Sequence, residues 1–273
     1  FRRRKNDADF YSLIQPDGYN PLVIKPDLVQ SASGETMTPG QYVLRYGRQE
    51  GMARIAQGTV KADADFGEGY WTDHWSYGLD LIEDFLRIWP EREQELMQME
   101  LPWYRPQAQI LPREKRYSVS GGELRQYHFL EETPGEKWCR DGAENLVKAT
   151  LLEKLVCMCA MKFAALDAWG CGIEMEGGRP GWYDALNGLP ALFGSSVTEA
   201  MELLRHLRFL KVSLRRYGGK VSLPGPHYML LMRLKQSVED IPEYTGNTVL
   251  VDFWNSSKSA LEHCREEVYT QGA

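Results

Sequence analysis

The 273-residue sequence predicts a mainly helical domain with one β-hairpin excursion, and three observations lead there. Apolar residues recur at three-and-four spacing after Tyr77, an apolar stretch runs from Ala143 to Leu166, and a capped stripe starts at Ser196. Such spacing gathers apolar side chains on one face of a 3.6-residue helix, whereas a half-buried strand would alternate.

Residues 1–66 are rich in Gly, Pro, Asn and Asp, as in Gln15-Pro-Asp-Gly-Tyr-Asn-Pro21, and read as loops with short helices. The first strong helix carries Leu79, Ile82, Phe85, Leu86 and Trp89, and Pro90 ends or interrupts it. Between Gln107 and Phe129, alternating residues flank Gly121-Gly122, which supply the positive φ values of a tight hairpin turn. The stretch 143–166 reads as a helix apolar on most faces, to be surrounded by other elements. In the next helix, Ser196 and Glu199 have capping-box spacing, and the stripe is Ala200, Leu203, Leu204, Leu207 and Leu210. Two more helices are expected near His227–Val238 and Leu250–Val268. No repeat or clean linker divides the chain, so residues 1–273 read as one domain or a piece of one.

Composition excludes several classes. With 43% hydrophobic and 26% charged residues, the chain is neither disordered nor fibrous. A net charge of −6 and scattered Lys and Arg argue against a nucleic-acid partner. The basic run Arg2-Arg3-Arg4-Lys5 reads as a solvated end. No apolar run approaches the ~20 residues of a membrane span, since Lys148, Glu153, Lys154 and Lys162 interrupt the most apolar segment. Cys139, Cys157, Cys159, Cys171 and Cys264 lack metal-site spacing and read as thiols of a reducing compartment, which points to the cytoplasm. The chain starts at Phe1, so it reads as processed or cut from something longer.

Two segments place carboxylates among aromatic residues: Phe66-Gly-Glu-Gly-Tyr-Trp-Thr-Asp-His-Trp-Ser-Tyr77, and the glycine-rich run from Gly170 to Pro190. This combination suits sugars, whose apolar ring faces pack on aromatic planes while their hydroxyls bond carboxylates, amides and indole N–H groups. Cleaving a glycosidic bond needs a protonated acid, and a carboxyl walled by apolar groups stays protonated longer because desolvation disfavours its ionised form. Asp184, between Trp182-Tyr183 and Ala185-Leu186, is the candidate acid. Its alternative is a helix cap before Ala185, with Trp182 and Tyr183 in the core. Glu174 and Glu176 alternate with Ile173 and Met175, so both carboxylates fall on one side of an extended segment as a base, as hydroxyl ligands, or as solvated charges. Trp71, Asp73, His74 and Trp75 form a second candidate cluster, with Arg179 and Asn187 as further ligands. No phosphate loop, dinucleotide fingerprint, zinc signature or nucleophile elbow is present in the sequence.

The segment Pro180-Gly-Trp-Tyr-Asp-Ala-Leu-Asn-Gly188 resembles the Asp-Trp-Asn-Asp-Gly-Met-Asn motif of cellobiose-phosphorylase-like enzymes. In that family the acidic residue after the Trp-Asn pair is the general acid, which by position is Asp184; Trp182 matches the motif tryptophan and Asn187 its asparagine. Gly181, Tyr183 and Ala185 depart from the motif. The stretch Gly69 to Asp80 is similar to the substrate-binding loops of (α/α)6-toroid glycosidases and phosphorylases, in which an aspartate, here Asp73, commonly holds hydroxyls of the reacting sugar.

The resemblance implies an (α/α)6 toroid, complete or short of its closing helices, in an enzyme cleaving a glucoside or oligosaccharide. Inorganic phosphate would be the co-substrate of a phosphorylase, with no other cofactor and no metal. Trp71, Asp73, His74, Trp75, Arg179, Trp182, Tyr183 and Asn187 would hold substrate, while Glu174, Glu176 or Glu68 would serve a hydrolase as base. Further domains of a longer chain are the expected partners. The competing reading is a non-catalytic helical module that binds glycan or supports another domain.

Overall fold

A computed structural model describes residues 11, 14–18, 22–24, 28–61, 64–66, 74–126, 130–133, 135–174, 195–217, 220–241 and 246–271. These residues form a mainly helical molecule with small antiparallel sheets, and one helix organises it. That helix, α4 (Leu151–Ala164), buries eleven of its 14 residues, Lys154 and Lys162 among them. Thr150 accepts from the Glu153 N–H while the Glu153 carboxylate accepts from the Thr150 N–H, satisfying orphan amides of the first turn. Around α4 pack α5 (Val197–Arg216), α6 (Gly225–Glu239) and α7 (Asn247–Gln271), with α6 and α7 lying against each other. Leu155, Met158 and Met161 meet Leu203, Leu230, Leu234 and Leu261 in a continuous core.

The expected start of α4 at Ala143 is wrong by eight residues. Asp141 accepts from the N–H groups of Ala143 and Asn145, Glu144 takes φ +66°, and Lys148–Thr150 pairs as β11 with β6 (Glu100–Pro102). A turn and a strand therefore consume the predicted first turns of helix. The periodic stripe after Tyr77 forms α2 (Tyr77–Ile88), burying Leu79, Ile82 and Phe85 and ending at Trp89 before Pro90. Short α3 (Glu93–Met97) follows.

The hairpin is as expected: β8 (Tyr117–Ser120) pairs with β9 (Glu123–Gln126) in register Ser120↔Glu123. Gly121 and Gly122 take φ +63° and +81°, conformations costly for other residues. Just outside it, β7 (Ala108–Ile110) pairs with β10 (Leu130–Glu132).

The first 66 residues hold more order than expected. β2 (Leu28–Gln30) is flanked by β3 (Thr36–Met37) and β4 (Thr59–Lys61), and β1 (Leu22–Ile24) pairs with β5 (Ala64–Phe66). Between β3 and β4, α1 (Pro39–Gln57) breaks at Gly47, φ +75°, and folds back so closely that a Cβ on Gly51 would lie 2.7 Å from the Tyr42 carbonyl.

Ile14–Gly18, part of the stretch expected to hold loops with short helices, is buried and clamped through its carbonyls by three helices. Lys154 donates to the carbonyls of Ile14 and Pro102 at 3.4 and 2.6 Å, and His227 Nε2–H donates to Pro16 at 2.6 Å. Arg265 donates to the Asp17 carbonyl at 2.9 Å, and the Tyr269 hydroxyl to its carboxylate at 2.9 Å. Side chains thus satisfy peptide groups that a buried loop cannot pair internally.

Candidate functional site

Most of the expected site residues lie outside the described residues. Asp184, Glu176, Arg179, Trp182, Tyr183 and Asn187 lie in 175–194, and Glu68, Trp71 and Asp73 in 67–73. Glu174 and Trp75 are described, as is the backbone of His74, which opens a short 3-10 turn, His74–Ser76. The residues at the edges of both segments define what holds the segments.

The ends of 175–194 are tied together. β12 (Ile173–Glu174) pairs antiparallel with β13 (Ser195–Ser196), so chain enters and leaves the segment side by side. Asp167 fastens this junction: Oδ1 accepts from the N–H groups of Trp169 and Cys171, both at 3.0 Å, and Oδ2 from Gly172 N–H at 2.9 Å and Ser195 Oγ at 2.6 Å. Burial pushes its carboxyl pKa upward, but the Ser195 hydroxyl and the three amides outweigh burial, and the net shift is downward. Gly172 is needed here, because a Cβ would lie 2.8 Å from Ser195 Oγ.

Glu174, expected as a base or hydroxyl ligand, has both oxygens engaged. Oε1 accepts from Trp254 Nε1 at 2.6 Å, and Oε2 pairs with Lys258 Nζ at 2.7 Å. Lys258 also donates to the Ala165 carbonyl at 2.9 Å, joining the C-terminal end of α4, the junction and α7. With one oxygen on the indole and the other on the ammonium, Glu174 serves as a strut between the junction and α7.

Trp75, expected as a sugar ligand, is only 3% exposed. Its Nε1–H donates to Glu199 Oε2 at 2.9 Å, across 124 residues of sequence. Its ring lies 4.9 Å from that of His206, and Lys162 Nζ stands 5.5 Å from the ring centre, within cation–π range. A ring enclosed in this way anchors the turn and does not face a ligand. Glu199 sits in the first turn of α5, where its N–H donates to the capping Ser196 Oγ at 3.2 Å. His206 donates Nδ1–H to the Glu202 carbonyl, and burial lowers its pKa to about 4, leaving it neutral at pH 7.

The buried face of α5 is therefore Glu199, Leu203, His206, Leu210 and Ser213, whereas Leu204 and Leu207 of the expected stripe are exposed. Arg205 binds α5 to α2 through Asp80 at 2.6 Å and Glu83 at 3.0 Å. The exit of the tryptophan-rich turn and the exit of 175–194 are consequently fixed to one another.

Lys162, Glu199, His206, Trp254 and Lys258 were missed from the sequence. Only Glu199 carried a signal, its capping spacing, and that signal says nothing of the indole 124 residues away. Elsewhere, a cavity of about 680 Å³ lies between residues 109–116 and α7, lined in part by Arg113, Arg116, Glu262 and Tyr269, and it includes none of the expected site residues. Among the described residues no group of His, Cys, Asp and Glu is arranged to hold a metal ion, and no helix is long and apolar enough to cross a membrane. Cys139, Cys157, Cys159 and Cys264 are buried free thiols, and burial drives the Cys159 and Cys264 thiols up to about 12.

No protein-family model matches the chain, and no curated protein matches it in sequence.

Proposed function

We propose that the chain is a carbohydrate-active enzyme, or a piece of one, that cleaves a glucoside or oligosaccharide within an (α/α)6 toroid. One observation carries this reading: the Trp75–Glu199 hydrogen bond joins the flank of the turn bearing Trp71 and Asp73 to the flank of the segment bearing Trp182 and Asp184. The described flanks of the two segments then share an anchorage, which supports a composite sugar site.

In the proposed reaction Asp184 gives its proton to the glycosidic oxygen as the bond to the anomeric carbon breaks. In phosphorolysis a phosphate oxygen attacks that carbon from the opposite face, yielding a sugar 1-phosphate and a shortened chain. In hydrolysis a second carboxylate about 6.5–9.5 Å from the acid takes a proton from the attacking water. With Glu174 held by Lys258 and Trp254, Glu176 is the better choice for that base. Asp73, His74, Arg179 and Asn187 supply polar contacts to hydroxyls or phosphate, and Trp71, Trp182 and Tyr183 supply aromatic planes; the buried Trp75 is a structural residue. The buried free thiols suit a reducing, cytoplasmic setting.

The test is incubation with oligosaccharides with and without inorganic phosphate. Phosphorolysis predicts a sugar 1-phosphate only when phosphate is present; turnover unchanged by removing phosphate selects hydrolysis. Asp184→Asn should lower either rate by roughly 10²–10⁴-fold, as loss of a general acid does. A variant as active as the parent would remove Asp184 from the chemistry.

One observation favours the second reading, a helical module supporting another domain. Val197, Met201, Leu204 and Val212 expose apolar surface along α5. Under that reading Asp184→Asn leaves glycan binding untouched.

A further inference from the structure

Helix α5 presents one spacing on two sides. Its buried row, Glu199, Leu203, His206, Leu210 and Ser213, advances by alternating steps of four and three residues. Val197, Met201, Leu204, Arg208, Lys211 and Arg215 advance by the same steps, and all six are exposed. At about 100° per residue these six fall within a sector of about 80°, on the far side of the helix from the buried row. A seam repeating every 3.5 residues is what one helix offers another in coiled-coil packing. The two halves of this seam differ in chemistry. Val197, Met201 and Leu204 are 57%, 66% and 47% exposed, which is far more apolar surface than a helix with one covered face needs to show. Arg208, Lys211 and Arg215 follow, and among the described residues none of the three has a carboxylate partner, whereas Arg205 and Arg216 are engaged by Asp80 and Glu93. The sequence also keeps carboxylates away: residues 203–238 hold eight Lys and Arg and no Asp or Glu, in a chain with 38 Asp and Glu.

We propose that the outward seam of α5 docks an acidic amphipathic helix of a partner polypeptide, running antiparallel to α5. The first turns of that helix set carboxylates against Arg208, Lys211 and Arg215, and its later turns set apolar side chains against Val197, Met201 and Leu204. Charge complementarity selects the acidic partner, and the helix dipole selects the direction. Carboxylates are favoured in the first turns of a helix, and an antiparallel arrangement brings those turns to the basic C-terminal half of α5. A second copy of α5 fits in neither direction, since a parallel pair sets cation on cation and an antiparallel pair sets cations on apolar side chains. A helix lying in a lipid surface separates an apolar face from a basic one, whereas here both share one line along the helix. The proposal takes up the apolar surface noted for the second reading and holds whether or not the chain cleaves sugar.

Fluorescence anisotropy tests the assignment with a labelled three-heptad peptide, Glu at its first three seam positions and Leu at its next three, titrated with the 273-residue chain. Saturable binding that weakens as salt is added is the expected result. The double variant Arg208→Glu, Lys211→Glu should weaken it by roughly tenfold or more, and a peptide carrying Lys in place of Glu should recover the loss. Both side chains are exposed, so the variant should keep the parent's thermal midpoint. A peptide with Leu first and Glu last should bind at least about tenfold more weakly, and equal affinity would overturn the antiparallel arrangement. Failure of both peptides to bind would overturn the docking surface, as would affinity unmoved by the double variant. Self-association of the chain that Met201→Glu abolishes would overturn it in favour of a second copy. Sedimentation with phosphatidylserine vesicles, lost in the double variant and without peptide binding, would overturn it in favour of lipid. Sugar cleavage is read separately: a chain that cleaves oligosaccharide and binds neither peptide loses this inference and keeps the enzyme reading.

Discussion

Lys258, its side chain 6% exposed, holds the carboxylate of Glu174, 33% exposed, at 2.7 Å. The asymmetry of the pair decides what each truncation costs. Glu174→Ala leaves an ammonium without its counter-charge inside the protein, whereas Lys258→Met leaves a carboxylate that water can still reach. We expect Glu174→Ala to cost about 2–3 kcal/mol, toward or below the low end for buried pairs because one partner meets solvent, and Lys258→Met to cost less. Denaturant unfolding of both variants measures the difference, and the reverse order would contradict the strut.

Removing the indole N–H with Trp75→Phe takes a donor away from Glu199 Oε2, on a side chain 5% exposed. That should cost about 1.5–3 kcal/mol. Glu199→Gln keeps an acceptor for the indole and should cost clearly less. Identical losses in urea midpoints would mean that the bond contributes nothing and that only packing was disturbed.

Gly18 takes φ +70°, and a Cβ there would lie 2.7 Å from the Met161 Cβ. Gly34 takes φ +84° with open space around it. Gly34→Ala should therefore cost only the left-handed backbone penalty of about 1–2 kcal/mol, and Gly18→Ala distinctly more because the clamped loop must move off α4. Thermal unfolding of the two variants side by side checks the ordering.

Burial lowers the pKa of His206 and His227 to about 4, while each titrates near 6.5 when unfolded. Between those values the unfolded chain binds more protons, so stability falls as pH drops from 6.5 toward 4, by about 3 kcal/mol per histidine. His206→Gln should flatten that part of the stability profile. A variant with the parent's slope would show that the ring is hydrated in the fold.

Lys154 works in the opposite range. Burial lowers its pKa from 10.5 to about 7, so the unfolded chain binds the extra proton between those values and stability rises with pH across that window. Lys154→Met should remove the rise, measurable from unfolding at pH 7 and pH 9.5.

The helices were legible wherever apolar spacing coincided with burial, as in Leu79, Ile82 and Phe85 of α2. On α5 the cap at Ser196 was legible and the buried face was not, because Glu199 and His206 look like surface residues until Trp75 and the Glu202 carbonyl supply their partners. Strands of two or three residues, such as β2 to β4, are too short for an alternating pattern to register. The clamped loop at Ile14–Gly18 was hidden for a related reason: turn residues report backbone shape, and the donors that permit burial come from Lys154, His227 and Arg265, far along the chain. In the candidate site, local chemistry picked out Glu174 and Trp75 as notable, but their engagement by Lys258, Trp254 and Glu199 depends on long-range packing that spacing does not encode.

A crystal structure of the chain soaked with an oligosaccharide would show whether the tryptophan-rich segment and the 175–194 segment meet on one ligand. A single sugar chain touching both Asp73 or Trp71 and Asp184 or Trp182 is the predicted result. A ligand bound away from both, with Asp184 and Asp73 on opposite sides of the molecule, would contradict it.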